Sequence, residues 1–388
     1  MDLKTTYLAK HVKELKPSGI RKFFDATAGM KDVISLGVGE PDFVTPWHVR
    51  EAAILSLEDG YTSYTANAGL PELRREIAEY MQDYFSVSYD PNHEITVTVG
   101  ASEAIDISLR AILDPGDEVI VVEPCFVSYA PLVTLAGGVP VCVQALKENQ
   151  FKILPAQIEE AITERTKAIM ICSPNNPTGS MLNQEEMERI ADVIISHDLL
   201  VLSDEIYAEL VYDGNYTSFA AIRGMRERTI LVSGFSKNLA MTGWRLGYVC
   251  TPAEITEGLL KIHQYAIMSA PTMAQYAGIE GLKTGREDID EMRKSYRQRR
   301  NYIVQSLNEI GLSCHKPEGA FYTFPSIEST GLNSEQFATR LLHAEKVVVV
   351  PGNAFGKSGE GHVRCSYATS MEQLQEAMKR IRRFVETL

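Results

Sequence analysis

Between residues 95 and 251, short apolar runs alternate with longer segments in which apolar residues recur every three or four positions. The runs are ITVTV at 95–99, EVIVVE at 118–123, VPVCV at 139–143, AIMICS at 168–173, LLVLSD at 199–204, TILVSG at 229–234 and GYVCT at 247–251. Runs of this length, apolar on both faces, predict buried strands, and the amphipathic stretches between them, such as 183–197, predict helices packed over a sheet. The alternation therefore predicts an α/β fold, a mostly parallel seven-stranded sheet sandwiched by helices, in which sites gather at the carboxyl ends of strands. After Pro252 the pattern changes. Charged residues at i, i+3 and i+4 spacing predict a long helix over 287–310, short strands are expected near 320–324, 346–350 and 363–367, and 371–386 reads as a final amphipathic helix. The expected organisation is a large domain over 46–285, a smaller α+β domain over 286–388, and an N-terminal segment, 1–45, joined to the smaller one. At 388 residues the chain is long enough for two cores.

Composition acts mainly by exclusion. With 45% hydrophobic and 23% charged residues it is ordinarily globular, and a net charge of −13 without a central block of lysine and arginine argues against nucleic acid as a partner. The cysteines, Cys125, Cys142, Cys172, Cys250, Cys314 and Cys365, are scattered and show no C-x-x-C spacing, so neither a metal site nor a disulfide framework is expected. Their apolar surroundings predict reduced core residues. No apolar run approaches the roughly 18 residues of a membrane span, and the segment MDLKTTYLAKHVKELKPSG has no continuous apolar stretch, so a cytoplasmic protein without a membrane partner is expected.

The candidate chemistry starts at FSKNLAMTGWRLG, 235–247, where Lys237 follows an apolar run and Arg245 comes eight residues later. A lysine with the reference pKa of roughly 10.4 is neutral about once in 2500 at pH 7, so freeing its amine costs about 4.6 kcal/mol. Storing the amine as a Schiff base with an aldehyde cofactor avoids that cost, and a phosphate on the same cofactor would suit a nearby arginine.

Four other strand ends supply complementary groups. SPNNPTG, 173–179, leaves Asn176 free to donate a hydrogen bond, and SDEIY, 203–207, places Asp204 where a carboxylate could favour a protonated ring nitrogen, with Tyr207 one turn on. VGASEAI, 99–105, opens a helix with Gly100, Ala101 and Ser102, whose amides form a natural phosphate cradle. EPCFVSYAP offers Phe126 to stack on a flat ring. Each has an ordinary alternative: a turn at Asn176, a helix cap at Asp204, a plain corner at Gly100, core packing at Phe126. Together they meet the distinct demands of one cofactor.

The chain resembles the class I/II pyridoxal-phosphate aminotransferases of fold type I, the aspartate aminotransferase family. The resemblance runs nearly end to end, through SGIRKFFD near Ser18, ISLGVGEPDFVTP at 34–46, YTSYTANAGLPELR at 61–74, the motifs above, PEGAFYTFP at 317–325, VVPGNAFG at 349–356 and VRCSYAT at 363–369. It implies pyridoxal 5'-phosphate held as an aldimine on Lys237, which also shuttles the proton. Arg245 and Ser236, with the amides of residues 100–102, would hold the phosphate; Asp204 would face the ring nitrogen; Asn176 and Tyr207 the phenolic oxygen; and Phe126 the ring. Where such chains usually carry a hydroxyl residue three before the lysine, this one has Gly234, preceded by Ser233. Arg364 is implied as the clamp for the substrate α-carboxylate, assisted by Asn176 and the backbone at Gly39. Tyr64 matches a tyrosine that reaches the partner's phosphate in a homodimer with shared sites. The implied reaction is a ping-pong transfer of the amino group of an L-amino acid, among alanine, aspartate and aromatic donors, to a 2-oxo acid such as 2-oxoglutarate. A C–S β-lyase on the same scaffold and, more remotely, a cofactor-binding regulator stand as alternatives.

Overall fold

The computed structural model describes residues 7–15, 30 and 32–388. The SGIRKFFD motif lies outside the described residues, as does most of the segment before residue 32. A two-residue strand, β1 (Ile34–Ser35), is followed by β2 (Ile95–Thr98), β3 (Glu118–Glu123), β4 (Val139–Gln144), β5 (Thr166–Cys172), β6 (Leu200–Asp204), β7 (Thr229–Gly234) and β8 (Gly247–Cys250). Strands β2 to β8 form one sheet in the order β2-β8-β7-β6-β5-β3-β4. Six of them run the same way and β8 runs against both its neighbours. All seven apolar runs are therefore strands of this sheet, and its middle is fully buried, as at Val121, Ile169, Val201 and Leu231.

One edge departs from expectation. β4 carries Pro140, which has no N–H for a further ladder, and it occupies the sheet edge with Val139 44% exposed. Cys142 on that strand is exposed and Cys172 is half-buried, so only Cys125, Cys250, Cys314 and Cys365 are core cysteines; all six are free thiols. An edge strand has one unpaired side, and its side chains cannot all be covered.

The covering helices start and stop on local chemistry. Helix Gln184–Ser196 begins with a reciprocal cap, the Asn183 side chain accepting from the Glu186 amide and the Glu186 carboxylate from the Asn183 amide. Helix Arg286–Ile310 ends at Gly311, φ +91°. Helix Met371–Glu386 opens on the Ser370 hydroxyl and buries Leu374, Met378, Ile381 and Phe384.

Beyond the large sheet, β9 (Tyr322–Thr323), β10 (Val347–Val348), β11 (Val350–Pro351) and β12 (Val363–Ser366) complete the strands of the described residues. The single strand expected over 346–350 is split. Val347–Val348 pairs in parallel with β1, whereas Val350 pairs with Arg364 of β12, which also pairs with β9. Ile34 and Leu36 share an apolar cluster with Phe337, Leu341, Val347, Leu374 and Phe384. Among the described residues no helix is long and apolar enough to cross a membrane.

The feature that positions the site is the turn from β7 to β8. Gly234 faces Gly247 across the ladder, and the Phe235 amide donates to the Leu246 carbonyl at 3.3 Å, closing a loop over residues 235–246. A Cβ on Gly234 would lie 2.8 Å from Gly247 Cα, and one on Gly247 would lie 2.6 Å from the Gly100 carbonyl carbon. Both contacts are with backbone, which cannot swing aside. Gly234→Ser, which supplies the missing hydroxyl, should cost about 1–3 kcal/mol of stability. A lowered denaturant midpoint at unchanged slope is expected; an unchanged midpoint would contradict the close approach.

Candidate active site

A cavity of about 370 Å³ opens at the carboxyl edge of the sheet. The 235–246 loop contributes Ser236, Lys237 and Arg245; the end of β6 contributes Asp204 and, one turn later, Tyr207. Asn176 follows β5, Phe126 follows β3, and Ala101 and Ser102 open the helix after β2. Arg364 reaches in from β12 and Gly39 from the chain after β1. Two of the expected residues stand elsewhere. Gly100 lies behind the wall against Arg245, where a Cβ would fall 2.6 Å from guanidinium Nη2. Tyr64 is 80% exposed on the outer surface and lines no part of the cavity. Ser233 also stays out, its hydroxyl donating to the Glu205 carbonyl at 3.4 Å.

Burial sets the electrostatics. Lys237 Nζ donates to the Gly39 carbonyl at 2.7 Å. Desolvation pulls its pKa down to about 8, against the pull of the Glu40 carboxylate and with help from the Arg364 charge. At pH 7 about one such amine in ten is neutral, against about one in 2500 for an exposed lysine.

Asp204 is buried, and burial raises its pKa; the Tyr129 hydroxyl donating to Oδ2 at 2.6 Å and the Ile206 amide donating to Oδ1 at 3.2 Å oppose that rise. Arg364 is 3% exposed, and burial lowers its pKa. Its Nη1 donates to Asn176 Oδ1 at 2.9 Å and its Nη2 to the Gly37 carbonyl at 2.6 Å, while Nε is buried with no partner among the described residues. The guanidinium lies over the Tyr322 ring, 4.6 Å from its centroid. Tyr207 and Tyr322 share a hydroxyl–hydroxyl contact of 2.9 Å. Arg245 holds a left-handed backbone, φ +53°, which turns its side chain back so that Nη1 meets the Thr242 carbonyl at 3.1 Å.

Among the wall residues that escaped the sequence reading, three bear on the charges of the site: Tyr129, Tyr322 and Glu40. Tyr129 opens the helix that follows EPCFVS, and its ring meets that of Phe126 edge to face with centroids 5.8 Å apart; its place in the same motif as Phe126 was the available signal. Tyr322 and Glu40 sit inside PEGAFYTFP and GVGEPDF without any spacing rule to single them out.

The groups present fit an aldehyde cofactor that carries a phosphate and a basic ring nitrogen. The amine is depressed in pKa, Asp204 is a buried carboxylate held by neutral donors alone, and Arg245 lies against a helix N-terminus. The family model described as aminotransferase class I and II matches residues 31–381. The chain belongs to this family. As an aminotransferase of class I and II it is a pyridoxal-phosphate-dependent transferase of fold type I. The enzyme is 63% identical to the Bacillus subtilis (strain 168) protein YugH over 381 residues, covering 98% of this chain and 99% of the relative. It is 51% identical over 370 residues to an aspartate aminotransferase of Pyrococcus abyssi, covering 95% of each. The crystal structure of an aromatic aminotransferase from Pyrococcus horikoshii superposes with a TM-score of 0.90 at 46% identity, over 95% of this chain and 99% of that one.

Tyr129 gives the aminotransferase a specific pH test. Its hydroxyl lowers the Asp204 pKa against burial, so Tyr129→Phe should raise that pKa further and move the acid limb of kcat/KM to higher pH. A fall in turnover of about 10-fold is expected with it, the scale of one charge-assisted hydrogen bond. An acid limb that stays in place would detach Tyr129 from the ionisation of Asp204.

Proposed function

We propose that the enzyme moves the amino group of an L-amino acid to a 2-oxo acid, 2-oxoglutarate in the first instance, by a ping-pong sequence in which the donor leaves as its oxo acid before the acceptor binds. The observation that carries this reading is the meeting in one cavity of a depressed lysine, a buried carboxylate and an arginine whose Nε has no partner among the described residues. Lys237 is the covalent anchor for the cofactor aldehyde. Arg245, Ser236 and the amides of Ala101 and Ser102 hold the phosphate, with Gly100 behind them against Arg245; Asp204 faces the ring nitrogen, Asn176 and Tyr207 the phenolic oxygen, and Phe126 the ring. Bound there, the cofactor supplies the electron sink that makes the substrate Cα–H acidic.

The chain's own residues do the rest. Arg364 grips the α-carboxylate through its planar fork, with Asn176 and the Gly39 backbone beside it, which fixes the Cα–H relative to Lys237. Nζ of Lys237, once freed as an amine, would take that proton from the substrate Cα and return it two bonds away, across the shared nitrogen, to the carbon that the cofactor's aldehyde supplies. A pKa of about 8 keeps the amine close to the working pH for both steps. The names of the relatives favour an aspartate or aromatic donor, with alanine also open. We place the enzyme in the cytoplasm as a homodimer in which each subunit's Tyr64 completes the other's phosphate site; the exposure of Tyr64 together with Val44 and Trp47 supports the dimer. The chain divides into domains over 46–285 and 286–388, with 1–45 belonging to the second; the pairing of Ile34–Ser35 with Val347–Val348 supports that division.

Lys237→Ala should abolish the absorbance band of the lysine-bound cofactor and cut turnover by at least about 10³-fold. A variant that keeps both would overturn the reading. Arg364→Ala should raise the KM for amino acids by about 10- to 100-fold, the loss of a charged hydrogen bond, with a smaller change in kcat. An unchanged KM would remove Arg364 from carboxylate binding. The donor is read from half-reactions: aspartate, phenylalanine and alanine are mixed singly with the holoenzyme and loss of the band is followed. Release of pyruvate from cystathionine with no oxo acid present would point to elimination instead.

A further inference from the structure

Behind the phosphate cradle lies a pair that the reaction above does not use. His263 is fully buried near the end of helix Ala253–Ala266, which packs along helix Gly100–Ile112. Its Nδ1 lies 2.6 Å from Oε1 of Glu103, whose side chain is 9% exposed. With the carboxylate oxygen as acceptor, the tautomer that makes this hydrogen bond is the one with the proton on Nδ1. The other carboxylate oxygen, Oε2, accepts from the Val99 amide at 2.5 Å. Val99 is the residue that caps this helix, and its carbonyl faces Nη2 of Arg245 at 3.5 Å. A path thus runs from His263 through Glu103 and the backbone of Val99, its amide on one side and its carbonyl on the other, to the guanidinium.

By accepting from the Val99 amide, Glu103 sets its carboxylate at the opening of the same helix that offers the cradle, where an uncompensated negative charge would oppose an anionic ligand. His263 Nε2 is buried with no hydrogen-bond partner among the described residues, so this imidazole is committed to Glu103 alone. Burying a ring nitrogen without a partner is costly, and the pair must return something for it.

We propose that His263 and Glu103 form a positioning pair for the cofactor phosphate: Glu103 fixes the Val99 peptide and the first helical turn, and His263 disperses the carboxylate charge that would otherwise oppose the phosphate. The inference rests on the phosphate placement proposed above. Neither residue touches the reacting atoms. Removing the imidazole therefore weakens cofactor binding more than it slows the chemistry of molecules that have the cofactor bound, and neutralising Glu103 relieves much of that loss.

The test is an absorbance titration of the apoprotein with pyridoxal phosphate for the parent, His263→Ala, His263→Asn, Glu103→Gln and the His263→Ala/Glu103→Gln pair. Thermal midpoints of each apoprotein with and without inorganic phosphate are measured alongside. His263→Ala should weaken pyridoxal-phosphate binding by about 10- to 100-fold, the range of a lost charged hydrogen bond, and shrink the thermal shift produced by phosphate. His263→Asn, whose amide N–H can stand near the place of Nδ1, should recover part of the affinity, and the double variant should bind better than His263→Ala. Should His263→Ala yield no folded protein, His263→Gln, whose amide overlays Nε2 rather than Nδ1, takes its place. Parental affinity in the disrupted variant, or a loss that Glu103→Gln does not relieve, overturns the proposal. So does a lower apoprotein midpoint with undiminished cofactor affinity, which is a merely structural role. Failure of the parent itself to bind pyridoxal phosphate would instead overturn the phosphate placement on which the inference stands.

Discussion

The approach of three backbones at Gly234, Gly247 and Gly100 is the constraint on which the rest of the site depends. β7 and β8 meet closely enough that no side chain fits between Gly234 and Gly247, and Gly247 in turn touches the Gly100–Ala101 peptide. This pins both ends of the 235–246 loop at the carboxyl edge of the sheet, so Lys237 and Arg245 project into one cavity although they stand eight positions apart. It also brings the start of helix Gly100–Ile112 against the arginine. A Cβ at any of the three glycines would push the lysine loop, the helix start or the guanidinium away from the others.

Around that junction the enzyme buries charge and holds it with neutral or opposite partners. Isolated ions would be prohibitive in such surroundings. Asp204 is held by a tyrosine hydroxyl and a backbone amide, Arg364 by an asparagine and a carbonyl, Lys237 by a carbonyl. Neutral partners satisfy hydrogen-bonding demand without cancelling charge, so each group keeps its field for a ligand. Burial moves the lysine toward neutrality and the aspartic acid toward protonation. A cationic ring beside Asp204 would reverse the second effect.

The large sheet was legible because its strands are apolar on both faces and sit between amphipathic helices; residues 229–234 are a clear case, matching β7. The same rule overreached at 139–143, since an apolar run says nothing about which strand ends at an edge; only Pro140 hinted at it. Residues 346–350 misled differently. Their apolar run is continuous, yet the hydrogen-bonding partner changes within it, from β1 to β12, and partner choice is not a local property. At the site, residues within motifs at strand ends were readable, because a short strand and a turn leave little freedom in where they point. Tyr322 arrives from 118 residues beyond Asp204 and Glu40 from the other end of the chain, so only the packed fold brings them to the cavity. Glu103 lay inside a motif read for its small residues, and its partner His263 lies 160 positions away.

The segment from Leu36 to Thr45 explains how parts so distant act as one site. The Ser366 amide donates to the Leu36 carbonyl and Arg364 to the Gly37 carbonyl, which ties the segment to β12. Lys237 donates to the Gly39 carbonyl, Thr242 to Glu40, and Trp244 to the Thr45 hydroxyl, which tie it to the lysine loop. Asp42 pairs with Arg299 at 2.7 Å on the long helix. The segment therefore stitches the loop that carries Lys237 to the strand that carries Arg364. Both Nη atoms of Arg364 are held before any substrate arrives, so little side-chain freedom remains to be lost when a carboxylate binds. On the function proposed above, that preorganisation would belong to the grip on the α-carboxylate, which every amino acid shares, and would serve both half-reactions equally well.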